Sequence, residues 1–192
     1  MKEPNIRLRA LELEDLDFLY QIENDDRLWE LGVSNVPYSR RVLLDYITSA
    51  SADIYVDNQV RLIVENEQNE QVGILDLTDF DPRHHRAELG IVIKKEFQGQ
   101  GYAKASVSRL LQYARNVLHL QQIYAIVGIR NQKAAKMLQS VGFEGNNVLK
   151  QWLCGQVGYE DAMFHYCANQ YISTQTEDFH HHTGEKYFLP LM

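Results

Sequence analysis

The stretch Gln98-Gly99-Gln100-Gly101-Tyr102-Ala103 stands between a strand-like segment and the strongest helical pattern in the chain. Two glycines let the backbone turn sharply and come close to a ligand. A helix that starts at Tyr102 leaves its first N–H groups unpaired, with the positive end of its dipole turned outward. A phosphate suits that position. No Gly-Lys-Ser/Thr follows, so the loop is not the P-loop type. Gly99 and Gly101 also lack the third glycine and the parallel βαβ setting of a dinucleotide fingerprint.

On the C-terminal side, Ala103, Val107, Leu110, Leu111, Ala114 and Leu118 recur at steps of three or four, predicting a helix over Tyr102–Leu118. Ile123–Val127 reads as a buried strand. Asn131–Ser140 reads as a short helix with Asn131 at its cap and Gly142 past its end. Leu149–Leu153 and Met163–Cys167 read as two final strands. On the N-terminal side, Arg86–Ile93 reads as a strand. Val60–Glu65 and Val72–Leu77 form a hairpin signature around a polar turn. Ile6–Ala10 alternates like a half-buried strand, and helices are expected over Leu13–Asn24 and Ser39–Ala50. The mixture predicts an α+β fold, with a largely antiparallel sheet flanked by helices. Residues 1–171 are expected to form one domain and 172–192, which have no period, a C-terminal extension.

Composition bounds the function. The chain has 192 residues, 45% hydrophobic and 23% charged, with 11 Gly and 4 Pro. It holds no apolar run near the roughly 18 residues of a membrane span and no leader pattern. A formal net charge of −7 disfavours a nucleic-acid binder, which needs a basic footprint. Two cysteines, Cys154 and Cys167, cannot staple a secreted fold; they are expected to be buried apolar fillers in a cytoplasmic protein.

The motif Gln98-x-x-Gly101-x-Ala103 resembles the Gln/Arg-x-x-Gly-x-Gly/Ala signature of the GNAT superfamily of acetyl-CoA-dependent N-acetyltransferases. Asn131-Gln132-Lys133-Ala134, Gly142-Phe143 and the opening Leu8-Arg9-Ala10-Leu11-Glu12 are similar to further family segments, in order, over residues 5–170. Within the family, the chain most resembles spermidine acetyltransferases and ribosomal-protein N-terminal acetyltransferases. The resemblance implies a GNAT fold and acetyl-CoA as cosubstrate, without a metal. It implies that the main chain of Ile91, Val92 and Ile93 binds the pantetheine arm. It places the pyrophosphate over Gln98, Gly99, Gln100, Gly101, Tyr102, Ala103 and Lys104, and Asn131 on the cofactor's amide arm.

The implied reaction is direct attack of a primary amine on the thioester in a ternary complex. An ammonium of pKa about 10.4 must first lose a proton. Glu88 aligns with the family's fourth-strand glutamate and is the expected base. Its face of Arg86–Ile93 also carries Gly90 and Val92, so apolar surroundings are expected to raise its pKa. Leu138 stands where many members carry a tyrosine acid, so no general acid is assigned. Trp29, Tyr38, Asp76 and Asp79 are the expected acceptor-binding residues. Val33–Arg41 lacks the acidic cluster of polyamine enzymes and carries Arg40 and Arg41. The acceptor is therefore expected to be a protein N-terminus or a small amine with one cationic group. The alternative is a non-catalytic acyl-CoA-binding or regulatory module. His84-His85 and His180-His181-His182 are not expected to form a metal site, because adjacent residues diverge. The tail is a candidate for homo-oligomer contacts or a pocket cover.

Overall fold

A computed structural model describes residues 3–28, 36–51, 53–155 and 158–168. The expected C-terminal extension, Trp29 and His180–His182 lie outside the described residues.

The strands are β1 (Ile6–Ala10), β2 (Val60–Asn66), β3 (Gln71–Asp81), β4 (Arg86–Ile93), β5 (Gln122–Gly128), β6 (Glu144–Gly155) and β7 (Gly158–Ala168). The helices are α1 (Leu16–Glu23), α2 (Arg40–Ser49), α3 (Ile54–Asp57), α4 (Tyr102–Asn116) and α5 (Gln132–Ser140). The seven strands form one sheet in the order β1-β2-β3-β4-β5-β7-β6. Every described pairing is antiparallel except β4 with β5.

Alternation decides which side of the sheet each residue serves. Leu75, Leu77, Ala87, Leu89, Ile123, Ala125 and Val127 face α4 and α5, where Val107, Leu110, Ala114 and Leu138 complete a dry core. Leu110 and Val107 are wholly buried. Burying each such side chain contributes about 1.5–3 kcal/mol. On the other side, Ile63 and Ile74 pack under Phe18, Leu19, Leu43 and Ile47 of α1 and α2. Ser39 caps α2 as expected, its hydroxyl accepting from the Val42 N–H at 3.2 Å. The helix expected over Leu13–Asn24 is a 3-10 turn at Leu13–Asp15 followed by α1.

The parallel pair controls the site. β4 pairs with β5 through Arg86↔Gln122, Ala87↔Ile123 and Glu88↔Tyr124. Beyond Glu88, β4 keeps to β3 as far as Ile93↔Gly73, while β5 keeps to β7 as far as Gly128↔Ala162. The two central strands therefore part at Glu88 and Tyr124, opening a V in the middle of the sheet.

Candidate active site

One arm of the V is β4 from Leu89 to Ile93. Strand β3 takes one of its edges, and the edge toward β5 lies outside the ladder. Such an edge binds an extended chain through its main-chain groups. Ile91, Val92 and Ile93, the residues expected to hold the pantetheine arm, all lie on this arm. Gln98 ties the loop back to the strand, its amide donating to the Ile93 carbonyl at 2.9 Å.

The loop is built for close approach. Gly99 and Gly101 have φ of 76° and 91°, in the left-handed region that glycine takes at least cost. A Cβ on Gly101 would lie 3.1 Å from Pro4 Cδ. Gly101 is also the N-cap of the 15-residue helix α4 and supplies no side-chain cap. The first N–H groups of α4 therefore face the mouth of the loop without an intrahelical partner. Gln98, Gly99, Gln100, Gly101 and Lys104 are exposed there, with Tyr102 and Ala103 half-buried. A glycine nest, a long helix dipole and a free strand edge in sequence fit a pyrophosphate joined to an extended amide-bearing arm.

Asn131 caps α5, its side-chain oxygen accepting from the Ala134 N–H at 3.1 Å. It stands just past Gly128, at the open end of the other arm of the V. An open cleft of about 480 Å³ runs between the end of α1, with Gln21, Ile22, Asp25 and Leu28, and the β4 end, with Val92 to Glu96 and Gln98.

Glu88 sits where the V divides, half-buried, opposite Thr78 on β3 and Tyr124 on β5. Burial raises its carboxyl pKa above the ordinary value, and the charge of Asp79 adds to this. A hydrogen bond from the Ile126 backbone pulls the other way. The surroundings are thus less apolar than the sequence indicated. A shift in register between Thr78 and Asp81, with Asp79 at φ 49°, bulges β3 and brings Asp79 within electrostatic reach. Tyr124 is raised too, by burial first and then by Glu88 and Asp79.

Asp76 lies on the same face as Glu88 but is committed elsewhere. Arg61 holds it through two bonds of 2.8 and 3.0 Å and reaches Glu23 at 2.6 Å. Tyr46 packs on the guanidinium at 5.4 Å. Sequence reading missed Arg61 and Glu23. The only signal was an arginine on the inner stretch of a strand, which needs a partner when half-buried. Tyr38 is half-buried against the α1–α2 cluster, and its backbone is pinned to Asn24 by bonds of 2.8 and 3.1 Å.

Leu138 is buried in the main core, at the position where many family members place a tyrosine. Cys154 is exposed and Cys167 half-buried, so the expectation of two buried fillers fails for Cys154, which lies on the edge strand β6. Among the described residues no group of three or more His, Cys, Asp or Glu is arranged to hold a metal. No described helix is long and apolar enough to cross a membrane.

The family profile described as an acetyltransferase (GNAT) domain matches residues 5–144. The chain belongs to the GNAT acetyltransferase family. It is 30% identical to the spermidine N(1)-acetyltransferase of Vibrio cholerae over 158 residues, covering 81% of this chain and 88% of that protein. The crystal structure of spermidine N-acetyltransferase from Vibrio cholerae in complex with CoA and spermine superposes with a TM-score of 0.75 at 29% identity, over 85% of this chain and 95% of that one. A dodecameric structure of that enzyme in an intermediate state gives 0.74 at 28% identity, over 88% and 98%. The fold expected from the sequence is the fold found, and the protein is an acetyl-CoA-dependent N-acetyltransferase.

Proposed function

We propose that this chain acetylates a primary amine by direct attack within a ternary complex, with Glu88 as the base. The observation that carries the reading is the position of Glu88 at the point where β4 and β5 part. Glu88 there borders both the arm that would receive acetyl-CoA and the half-buried face that would receive the amine. Its raised pKa makes it a stronger proton acceptor than an ordinary carboxylate.

The chain's groups divide the work. The main chain of Ile91, Val92 and Ile93 would hold the pantetheine arm. The loop Gln98–Lys104 would hold the pyrophosphate, and Asn131 would join its cap duty to a bond with the amide arm. Acetyl-CoA supplies the activated acyl group. Glu88 accepts the proton of the incoming ammonium, directly or through water. The amine nitrogen then bonds to the acyl carbon as the carbon–sulfur bond breaks. The electron pair leaves with the sulfur, whose thiol pKa of about 8.5 makes a thiolate a tolerable leaving group without a dedicated acid, and the thiolate takes up the second proton that the acylated nitrogen sheds, directly or through water.

For the acceptor we keep Trp29, Tyr38, Asp76 and Asp79 as binding residues, with Asp76 acting through its ion pair with Arg61. Arg61 balances one of the two charges of Glu23 and Asp76, which weakens their draw on a polycation. Together with Arg40 and Arg41 in the first turn of α2, this supports an acceptor with one cationic group, such as a small amine or a protein N-terminus. The relatives' spermidine specificity is not carried over. A non-catalytic acyl-CoA-binding module is not favoured, since the base position and both cofactor arms are kept. We further propose a cytoplasmic, metal-independent enzyme that assembles as a homo-oligomer, in keeping with the dodecameric relative.

Calorimetric titration with acetyl-CoA, followed by an amine screen read by free-thiol release, tests this. Binding followed by thiol release only with an amine is expected. Binding without transfer to any amine overturns the catalytic reading.

A further inference from the structure

One line of side chains crosses the sheet from the proposed base. Glu88 on β4 is in register with Tyr124 on β5, Tyr124 with Tyr166 on β7, and Tyr166 with Glu144 on β6. Paired residues point to the same face, so the four stand in a row. Phe164, two residues from Tyr166 on the same strand, shares that face. It stacks on Tyr124 with centroids 5.3 Å apart and planes at 22°. Phe164 and Tyr166 lie 6.4 Å apart at 28°. The Tyr166 hydroxyl donates to Glu144 at 2.8 Å, which fixes the far ring. All three rings are half-buried.

We propose that the row Tyr124–Phe164–Tyr166 is the acceptor platform, and that the acceptor is a primary amine joined by a short chain to an aromatic ring. The inference rests on the reading of Glu88 as the base. Its first support is continuity. Tyr124 is one strand spacing, about 4.8 Å, from Glu88, roughly the reach of a two-carbon linker. An amine nitrogen at Glu88 thus sets its attached ring over Tyr124 and Phe164.

The second support is the polarity of the row. Stacked rings turn their faces toward one another and their edges outward. A ring edge carries the positive rim of the quadrupole. Such edges receive the face of another ring and repel an ammonium. Among the described residues, the carboxylates that act on the row are Glu88, Asp79 and Asp81 around Tyr124 and Glu144 at Tyr166, so a polycation extended along it meets rings rather than a counter-ion at Phe164. The chemistry selects one cationic nitrogen at Glu88 with an aromatic body beyond it.

The ligand chemistry has two sources, a free arylalkylamine or a peptide whose first residue is aromatic. The test measures kcat/KM with acetyl-CoA for phenethylamine, butylamine, spermidine and dipeptides beginning with Phe or Ala. Phenethylamine should exceed butylamine by about tenfold, the worth of one ring packing site. Phe164→Ala should remove most of that ratio, and Phe164→Tyr should keep it. Taking the ratio within each variant cancels any loss of folded enzyme. A Phe-first preference without a phenethylamine preference assigns the platform to peptides, and the converse assigns it to free amines. An equal ratio for aryl and alkyl acceptors of both sources, a ratio unmoved by Phe164→Ala, or a preference for spermidine overturns the inference and leaves acetyl transfer standing. Acetyl-CoA binding with no transfer to any amine removes the base assignment and the platform with it.

Discussion

On the side of the sheet that carries α4 and α5, Leu75, Leu77, Leu89, Ile123 and Ala125 meet Val107, Leu110 and Leu138 in an apolar layer. On the opposite side β3, β4, β5 and β7 present Asp76, Glu88, Tyr124, Phe164 and Tyr166, and helices α1 and α2 pack over Ile63 of β2 and Ile74 of β3. Adjacent residues of one strand thus serve different ends: Ala87 and Leu89 hold the fold, and Glu88 between them is placed for chemistry. Period-two alternation separates the two duties so that a substitution on one face need not disturb the other.

The largest expected effect breaks the chemical face. Glu88→Gln should lower kcat by about 10²- to 10⁴-fold, the usual worth of a positioned base. Acetyl-CoA affinity by calorimetry should hold, because the cofactor arm begins beyond Glu88. The wild-type kcat should rise with pH along a limb above the ordinary glutamate range, since burial and Asp79 raise the Glu88 carboxyl. That limb should vanish in the variant. A limb that survives in Glu88→Gln would take the base role from Glu88.

The next breaks the apolar face. Leu110 is wholly buried under the sheet. Leu110→Ala should cost about 2–5 kcal/mol of stability, from lost transfer energy and the cavity left behind. Thermal unfolding should show it as a Tm lower by several degrees. kcat per folded molecule should stay near wild type. A comparable loss of kcat would mean that the two faces are coupled.

These two faces were not equally legible in the sequence. The apolar face was read well because periodicity reports it directly. Strand β4 was read at its true bounds, and α4 began where expected at Tyr102 but ends at Asn116, two residues before Leu118. Strands β6 and β7 were read far too short. Register shifts between Gly145 and Asn147 and between Leu149 and Leu153, with Gln151 at φ 50°, break the alternation that sequence reading needs. Helix α3, one turn capped by Asp53, is too short to show a period. At the site, the glycine loop, Asn131 and Glu88 were named as candidates from motif and resemblance. The Arg61 triad, the Asp79 bulge and the aromatic row were not, because each joins residues far apart in the chain. Register between strands, which no local pattern encodes, brings them together.

Between the two faces lies the glycine loop, where a smaller effect is expected. Gly101→Ala places a side chain at φ 91°, beside Pro4. A left-handed conformation costs an ordinary residue about 1–2 kcal/mol. If the loop relaxes instead, its N–H groups lose their common aim. Calorimetry should find acetyl-CoA affinity down about tenfold, the same energy expressed as binding. Unchanged affinity would detach the loop from the cofactor.

The smallest effect tests the apolar face by pH. His165 on β7 is 2% exposed and faces away from the aromatic row, and neither ring nitrogen has a hydrogen-bond partner among the described residues. Gly145 on β6 makes room for it: a Cβ there would fall 2.4 Å from Nδ1. Burial holds the imidazole pKa below its ordinary value. The folded chain therefore protonates His165 less readily than the unfolded chain, which binds a proton below about pH 6.5. The unfolded state then holds more protons, and stability must fall as pH drops through that value, by up to about 1.4 kcal/mol per pH unit. His165→Leu should flatten this part of the stability profile in urea titrations between pH 5 and 7, ranges set by the histidine pKa of about 6.5. An unchanged slope would show that His165 finds a partner in the folded protein and that the apolar face is wetter than its burial implies.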